Sequence, residues 1–207
     1  MPTDPSDDEF LAWRASLHRL TDSRDAARSW RKRRYAFAHR LGEALAGPTP
    51  DSPAIDGPVV YGIWLRMGLL YVGQTTEAQR RLRDLPVGES HHLANTFPPE
   101  IWHKVLVVAW PRLPEAAPLT EALGPKLVGL ALEHRLQERP HPLANSERRT
   151  PDGGWREVVR TSSTSRGARA AKQVEVLSRA VERVWDEADG GGPLSPACRL
   201  VLPERCS

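Results

Sequence analysis

Cysteine is nearly absent from this chain of 207 residues: Cys198 and Cys206 are the only two. That excludes a disulfide framework, and two cysteines cannot by themselves complete a four-ligand zinc site. A reduced, incidental pair is the expectation. No window approaches 18 consecutive apolar residues, so no membrane span is expected. The N-terminus reads Met1-Pro2-Thr3-Asp4, with neither a basic leader nor an apolar core, which points to a cytoplasmic protein. No internal repeat of the solenoid kind is visible. Neither sign of charge dominates: 29 Lys and Arg stand against 26 Asp and Glu, a net charge of +3. Bulk charge is therefore a slight pointer to an anionic partner, and its distribution matters more.

Hydrophobic residues make up 40% and charged residues 27% of the chain, the balance of a globular protein. The length suits one domain with a real core, or a small catalytic domain with extensions. The 19 prolines suggest exposed connections. Two Pro-rich joints, Gly47 to Pro53 and Pro111 to Pro118, separate the elements. Three regions follow: a basic helical extension over 1–50, a central region over 57–147, and a C-terminal helix and tail over 155–207.

In the first region Phe10, Trp13, Leu17 and Leu20 recur at helical spacing, and Trp30, Phe37 and Leu41 mark a second helix. Around Trp30 and Tyr35 lie Arg28, Arg31, Lys32, Arg33 and Arg34, against the single acid Asp25. Such a face suits phosphate contacts, each cation displacing condensed counterions. A solvated helix face accounts for the pattern as well.

The central region opens with Val59-Val60-Tyr61-Gly62-Ile63-Trp64-Leu65, then Arg66-Met67-Gly68, then Leu69-Leu70-Tyr71-Val72-Gly73, a β-hairpin pattern. A three-residue loop over Arg66, Met67 and Gly68 sets Leu65 opposite Leu69 and Ile63 opposite Tyr71. Side chains alternate along a strand, so Tyr61 and Tyr71 then share one face. A helix follows, with Thr76 and Gln79 at capping-box spacing and Ala78, Leu82 and Leu85 on its apolar face. Arg81 lies about 60° from the centre of that face. An arginine so close to packed surface needs an anion or an acceptor.

Trp102 to Trp110 reads as a buried strand, and Lys126 to Glu138 as a largely buried helix. Glu133 is the only carboxylate between Lys126 and Gln137. A buried carboxylate must be protonated, paired or bound to a cation. Gly129, one turn earlier on the same side, leaves room for close approach. In the last region Ala171, Val174, Leu177, Val181, Val184 and Trp185 mark a helix ended by Gly190-Gly191-Gly192. The Ser-, Thr- and Arg-rich stretch from Arg160 to Arg169 reads as a loop, either DNA-contacting or ordinary surface.

Together these residues resemble the GIY-YIG nucleases. Val59-Val60-Tyr61 and Tyr71-Val72-Gly73 look like the two signature tripeptides. Arg81 falls where the family has its helix-borne arginine. Glu133, within Leu132-Glu133, resembles the metal-binding glutamate, and Asn145, within Leu143-Ala144-Asn145, the closing asparagine. The likeness covers roughly 57–147. It departs at Val59, where the family has glycine, and at Gln74, where many relatives have Lys or Ser. It departs again at Leu85, where many have His or Tyr; His91 or His92 could serve instead, or be plain surface histidines. Taken singly, each residue also has an ordinary structural reading, Arg81 and Glu133 as a buried ion pair among them.

The resemblance implies an α/β (α+β) fold, a small central sheet of about three strands flanked by helices, with helical N- and C-terminal extensions. It implies a metal-dependent endonuclease hydrolysing DNA, with one Mg²⁺ or Mn²⁺ held by Glu133. Arg81 would clamp phosphate oxygens, Tyr61 act as general base, Tyr71 orient the water, and Asn145 fix the neighbouring backbone. DNA contacts are expected from Arg31, Lys32, Arg33, Arg34, Gln74, His91 and His92. Restriction or defence is favoured over repair of unusual DNA structures, and cutting both strands with one site per chain favours a homodimer. A non-catalytic DNA-binding or scaffold protein on the same fold, and an RNA- or nucleotide-directed hydrolase, stay open.

Overall fold

The computed structural model describes residues 11, 14–15, 17–50, 52–88, 93–149, 155–157, 165–191 and 193–206. The expectations resting on Phe10, Trp13, His91, His92 and 160–164 lie outside them. The chain divides into two compact units, Met1–Ala38 and His39–Ser207. The division falls inside helix α1 (Arg24–Ala46), not in the proline-rich stretch that follows it.

The second unit is a mixed α+β structure around a four-stranded antiparallel sheet. Strands β1 (Val59–Leu65), β2 (Gly68–Thr75), β3 (Lys104–Val108) and, from 198–201, the last strand of the chain stand in the order β2-β1-β3-last. The sheet of about three strands thus gains a fourth, Cys198–Val201, which pairs with β3 from Val105↔Val201 to Val108↔Cys198. The region from 155 onward therefore contributes to the same sheet and core as 57–147. A separate ribbon joins β4 (Glu147–Arg149) to β5 (Trp155–Glu157), so the last strand is β6.

The hairpin reaches its register by an unexpected route. The turn is the two residues Arg66 and Met67, and Leu65 pairs with Gly68, not Leu69. A bulge between Ile63 and Trp64 then makes up the missing residue, so Ile63 still pairs with Tyr71 and Tyr61 with Gly73. A bulge places two residues of one strand against one of the other; here it restores the parity that sets both phenols on one face.

Val60, Val72, Leu106 and Val108 cover one sheet face and meet helices α4 (Pro125–Glu138) and α7 (Glu175–Asp189). The chain also forms α2 (Ala78–Asp84), α3 (Ala116–Leu123), the short α5 (Leu143–Ser146) and α6 (Arg166–Ala170). Helix α3 emerges from the second proline-rich joint. Helix α6 occupies the end of the expected Arg-rich loop, capped by Ser165, whose Oγ accepts the Ala168 N–H at 3.1 Å. The expected capping box at α2 does not form: its N-cap is Glu77, without a side-chain cap. Thr75 Oγ1 instead accepts the Glu77 N–H at 3.0 Å, and Gln79 donates outward to the carbonyls of Ala46 and Ile55 at 2.9 and 2.6 Å.

Arg199 on β6 explains why the first proline-rich stretch is not a free joint. It is 7% exposed, and burial pushes its pKa down. Its guanidinium donates to the carbonyls of Leu45 at 3.3 Å, Gly47 at 2.5 Å and Pro53 at 2.7 Å. These include carbonyls that the end of α1 leaves without helical partners. A cation there also complements the helix dipole. Arg199→Leu should cost about 2–4 kcal/mol, because it strands buried carbonyls that a charged donor satisfied, whereas Arg199→Lys should recover part of it. Urea unfolding followed by tryptophan fluorescence measures this; a loss under about 1 kcal/mol would show that the clamp does not hold the segment.

Candidate active site

The phenols of Tyr61 and Tyr71 converge because the residue between their rings is glycine. Tyr61 lies directly opposite Gly73 across the hairpin. A methyl group at Gly73 would come within 2.6 Å of the Tyr61 hydroxyl oxygen and 2.8 Å of a Tyr71 ring carbon. With only hydrogen there, the ring centroids approach to 6.2 Å at a tilt of 35°. Tyr61 is wholly buried; Tyr71 is partly open to solvent.

Arg81 enters from α2. Ala78, Leu82 and Leu85 of that helix are buried as expected, and they turn Arg81 toward the sheet. Its Nε donates to the Tyr61 hydroxyl oxygen at 3.2 Å. Arg80 and Arg83, pointing elsewhere, pair with Glu77 at 2.8 Å and Glu43 at 2.8 Å.

Glu133 is placed by a ridge on α4. Residues 129, 133 and 137 are spaced one turn apart and share a side of the helix. At one end, a methyl on Gly129 would sit 2.9 Å from Gln74 Oε1, so glycine lets α4 approach β2. At the other, Gln137 Nε2 donates to the Val72 carbonyl at 2.9 Å. Half-buried Glu133 lies between these two anchors, and its charge acts on both phenols.

Asn145 fixes the backbone of the same strand. Its Oδ1 accepts the Val72 N–H at 2.7 Å and its Nδ2 donates to the Val72 carbonyl at 3.1 Å. β2 is an edge strand, and an edge presents backbone groups without a ladder partner. The Asn145 amide substitutes for a neighbouring strand at Val72, next to Tyr71. Gln137, 6% exposed, shares that carbonyl and was missed in the sequence. Its signal was there: a second polar residue one turn after Glu133 on an apolar helix.

The electrostatics favour neutral phenols. Burial is the largest influence on Tyr61 and raises its pKa; Arg81 works against it, and Glu133 adds to the rise. Tyr71 is pushed well above the ordinary phenol range by burial first, then by Tyr61 and Glu133. Burial disfavours the charge on Arg81, but the two phenols outweigh it and raise its pKa.

Gln74 packs over Gly129. Arg31, Lys32 and Arg33 are exposed on α1, while Arg34 is half-buried with its guanidinium carbon 5.8 Å from the Trp30 ring centroid. Among the described residues no group of three or more His, Cys, Asp or Glu could hold a metal ion. Glu133 alone fits a hard cation completed by phosphate and water oxygens, and not a closed protein cage.

The raised pKa values set a sign for alkaline behaviour. A folded phenol that keeps its proton above the unfolded pKa of about 10 stabilises the fold fully below that pH. That contribution is lost as pH rises through the folded value. In a Tyr35→Phe background only Tyr61 and Tyr71 remain, and absorbance titration should show both ionising above the ordinary range, with stability falling over the same window. Ionisation of either at or below about pH 10 would contradict the buried, neutral pair.

The chain matches no protein-family model, no curated protein and no solved structure, so the reading of this site rests on its own residues.

Proposed function

We propose that this protein is a metal-dependent endonuclease of the GIY-YIG kind that hydrolyses DNA phosphodiester bonds. One observation carries the reading: Tyr61, Tyr71, Arg81, Glu133 and Asn145, spread over 85 positions of sequence, gather at the β2 edge of one sheet. The guanidinium of Arg81 suits the non-bridging oxygens of a phosphodiester, its fork matching phosphate geometry. Tyr71, the phenol with access to solvent, orients the attacking water. Tyr61 has no exposed surface, so its part is to hold Arg81, whose Nε donates to its hydroxyl oxygen, and Tyr71 in place. Glu133 would hold the divalent cation, Mg²⁺ or Mn²⁺, whose chemistry is to polarise the phosphate and stabilise the leaving oxygen. Neutralising the Glu133 charge also removes one influence that keeps both phenols protonated. Asn145 holds the strand that carries Tyr71 and is a positioning residue.

The complete burial of Tyr61 favours a second reading, a DNA-binding protein that keeps this framework without cutting. A cleavage assay separates the two. Supercoiled plasmid with Mg²⁺ or Mn²⁺ should be nicked or linearised, and EDTA or Glu133→Ala should abolish this. Arg81→Lys should lower the rate about 10²-fold or more, in line with removal of one transition-state donor. A panel of modified, unmodified and branched DNAs distinguishes defence from repair. Absence of cleavage on every substrate with DNA binding intact would transfer the protein to the second reading, and cleavage that survives Glu133→Ala would overturn the assignment of the metal to Glu133.

A further inference from the structure

We infer that the N-terminal half of α1 carries a sequence-independent track for the phosphate backbone of duplex DNA, formed by Arg24, Arg28, Arg31 and Lys32. The track rests on the nucleic-acid part of the reading above and not on hydrolysis. At about 100° per residue these four side chains fall within an arc of about 100°, with Tyr35 near its middle. All four are exposed, and Tyr35 is 50% exposed. Arg33 lies about 150° away on the same helix, and Arg34 about 110° away. The contiguous run Arg31 to Arg34 is therefore not the surface; a stripe at helical spacing is.

The length and charge of the stripe fit one strand of a duplex. From Arg24 to Lys32 the helix rises about 12 Å, and a DNA strand carries one phosphate per about 3.4 Å of axis. Three to four phosphates are in reach of four cations. The only acid between Arg24 and Arg40 is Asp25, whose oxygen lies 3.4 Å from Arg28 with both side chains highly exposed. Such a surface pair is worth little and is readily exchanged for phosphate. An anionic membrane is the other surface that a basic helix could meet. Helices that lie on membranes bury large apolar side chains beside their cations. Among the described residues from 24 to 38, Tyr35 is the only exposed large hydrophobic, so the stripe has no face to insert.

The test uses the full-length chain with Glu133→Ala, so that binding is read without cleavage. Binding of labelled duplexes of unrelated sequence is followed by fluorescence anisotropy over a salt series. Arg28→Gln with Arg31→Gln should weaken binding to every duplex and flatten the log–log salt slope by about 1.8, at about 0.9 per phosphate. Arg33→Gln with Arg112→Gln removes the same charge elsewhere and should leave the slope unchanged; circular dichroism confirms that each variant is folded. An equal loss in both pairs, no loss in the first, or a parent that does not bind DNA would overturn the track. So would tighter association with phosphatidylserine vesicles than with duplex. DNA binding that follows this pattern in a protein that never cleaves would sink the hydrolase reading and leave the track standing.

Discussion

The site depends on the absence of a side chain at Gly73. Two phenols and a guanidinium must occupy the space above one strand position, and any Cβ there would collide with both rings. The register has to cooperate, because a slip of one residue would send Tyr61 and Tyr71 to opposite faces. The bulge at Ile63/Trp64 supplies that cooperation. Only then can Arg81, held inward by the buried face of α2, find an acceptor at Tyr61. Each element is ordinary; the constraint is that all three must meet at a glycine.

The edge of the sheet is the second constraint, and it connects the phenols to the carboxylate. Val72 sits on the outermost strand, where its N–H and carbonyl have no strand beyond them. Two amides from distant parts of the chain, Asn145 and Gln137, close that edge. Gln137 belongs to the α4 ridge that carries Glu133, so satisfying the edge also sets the position of the carboxylate. A single solution thus serves backbone hydrogen bonding and site geometry. For that reason the asparagine matters here without touching the chemistry.

Much of this was legible because buried periodic segments announce themselves. The Val- and Leu-rich hairpin, the buried strand before Trp110, α4 and α7 all follow from pattern, and Arg81 stood out as a cation too close to an apolar face. The shared face of the tyrosines was inferred correctly from a turn that the chain does not use; a two-residue turn and a bulge give the same parity as a three-residue loop. Other features were illegible for physical reasons. β6 is four residues with an arginine in the middle, and only its tertiary partners, the carbonyls after α1, explain a buried Arg199. The amides of Asn145 and Gln137 act on a strand some 65 to 73 positions away, a distance no local pattern spans. In α1 the eye reads the contiguous run Arg31 to Arg34, whereas a helix presents residues three and four apart.

The two arginine environments along the second unit show what separates scaffold from site. Arg135 of α4 and Arg139 just after it meet the carboxylates of Glu138, Glu175 and Glu182, a network that binds this end of α4 to α7 near the surface. Charges of opposite sign cancel there, and the network needs nothing further to be stable. Half-buried Arg81 donates to the Tyr61 hydroxyl oxygen over the hairpin, with Glu133 acting on both phenols. Placing such groups beside a core costs desolvation that apolar residues of similar size would avoid. Phenylalanine at 61 and 71 would fill the same space above Gly73 with no hydroxyl to satisfy. The hydroxyls, the guanidinium and the carboxylate are thus not what packing requires of these positions, and their convergence beside half-buried Tyr71 on the edge strand β2 is the arrangement that the proposed phosphate-directed chemistry would use.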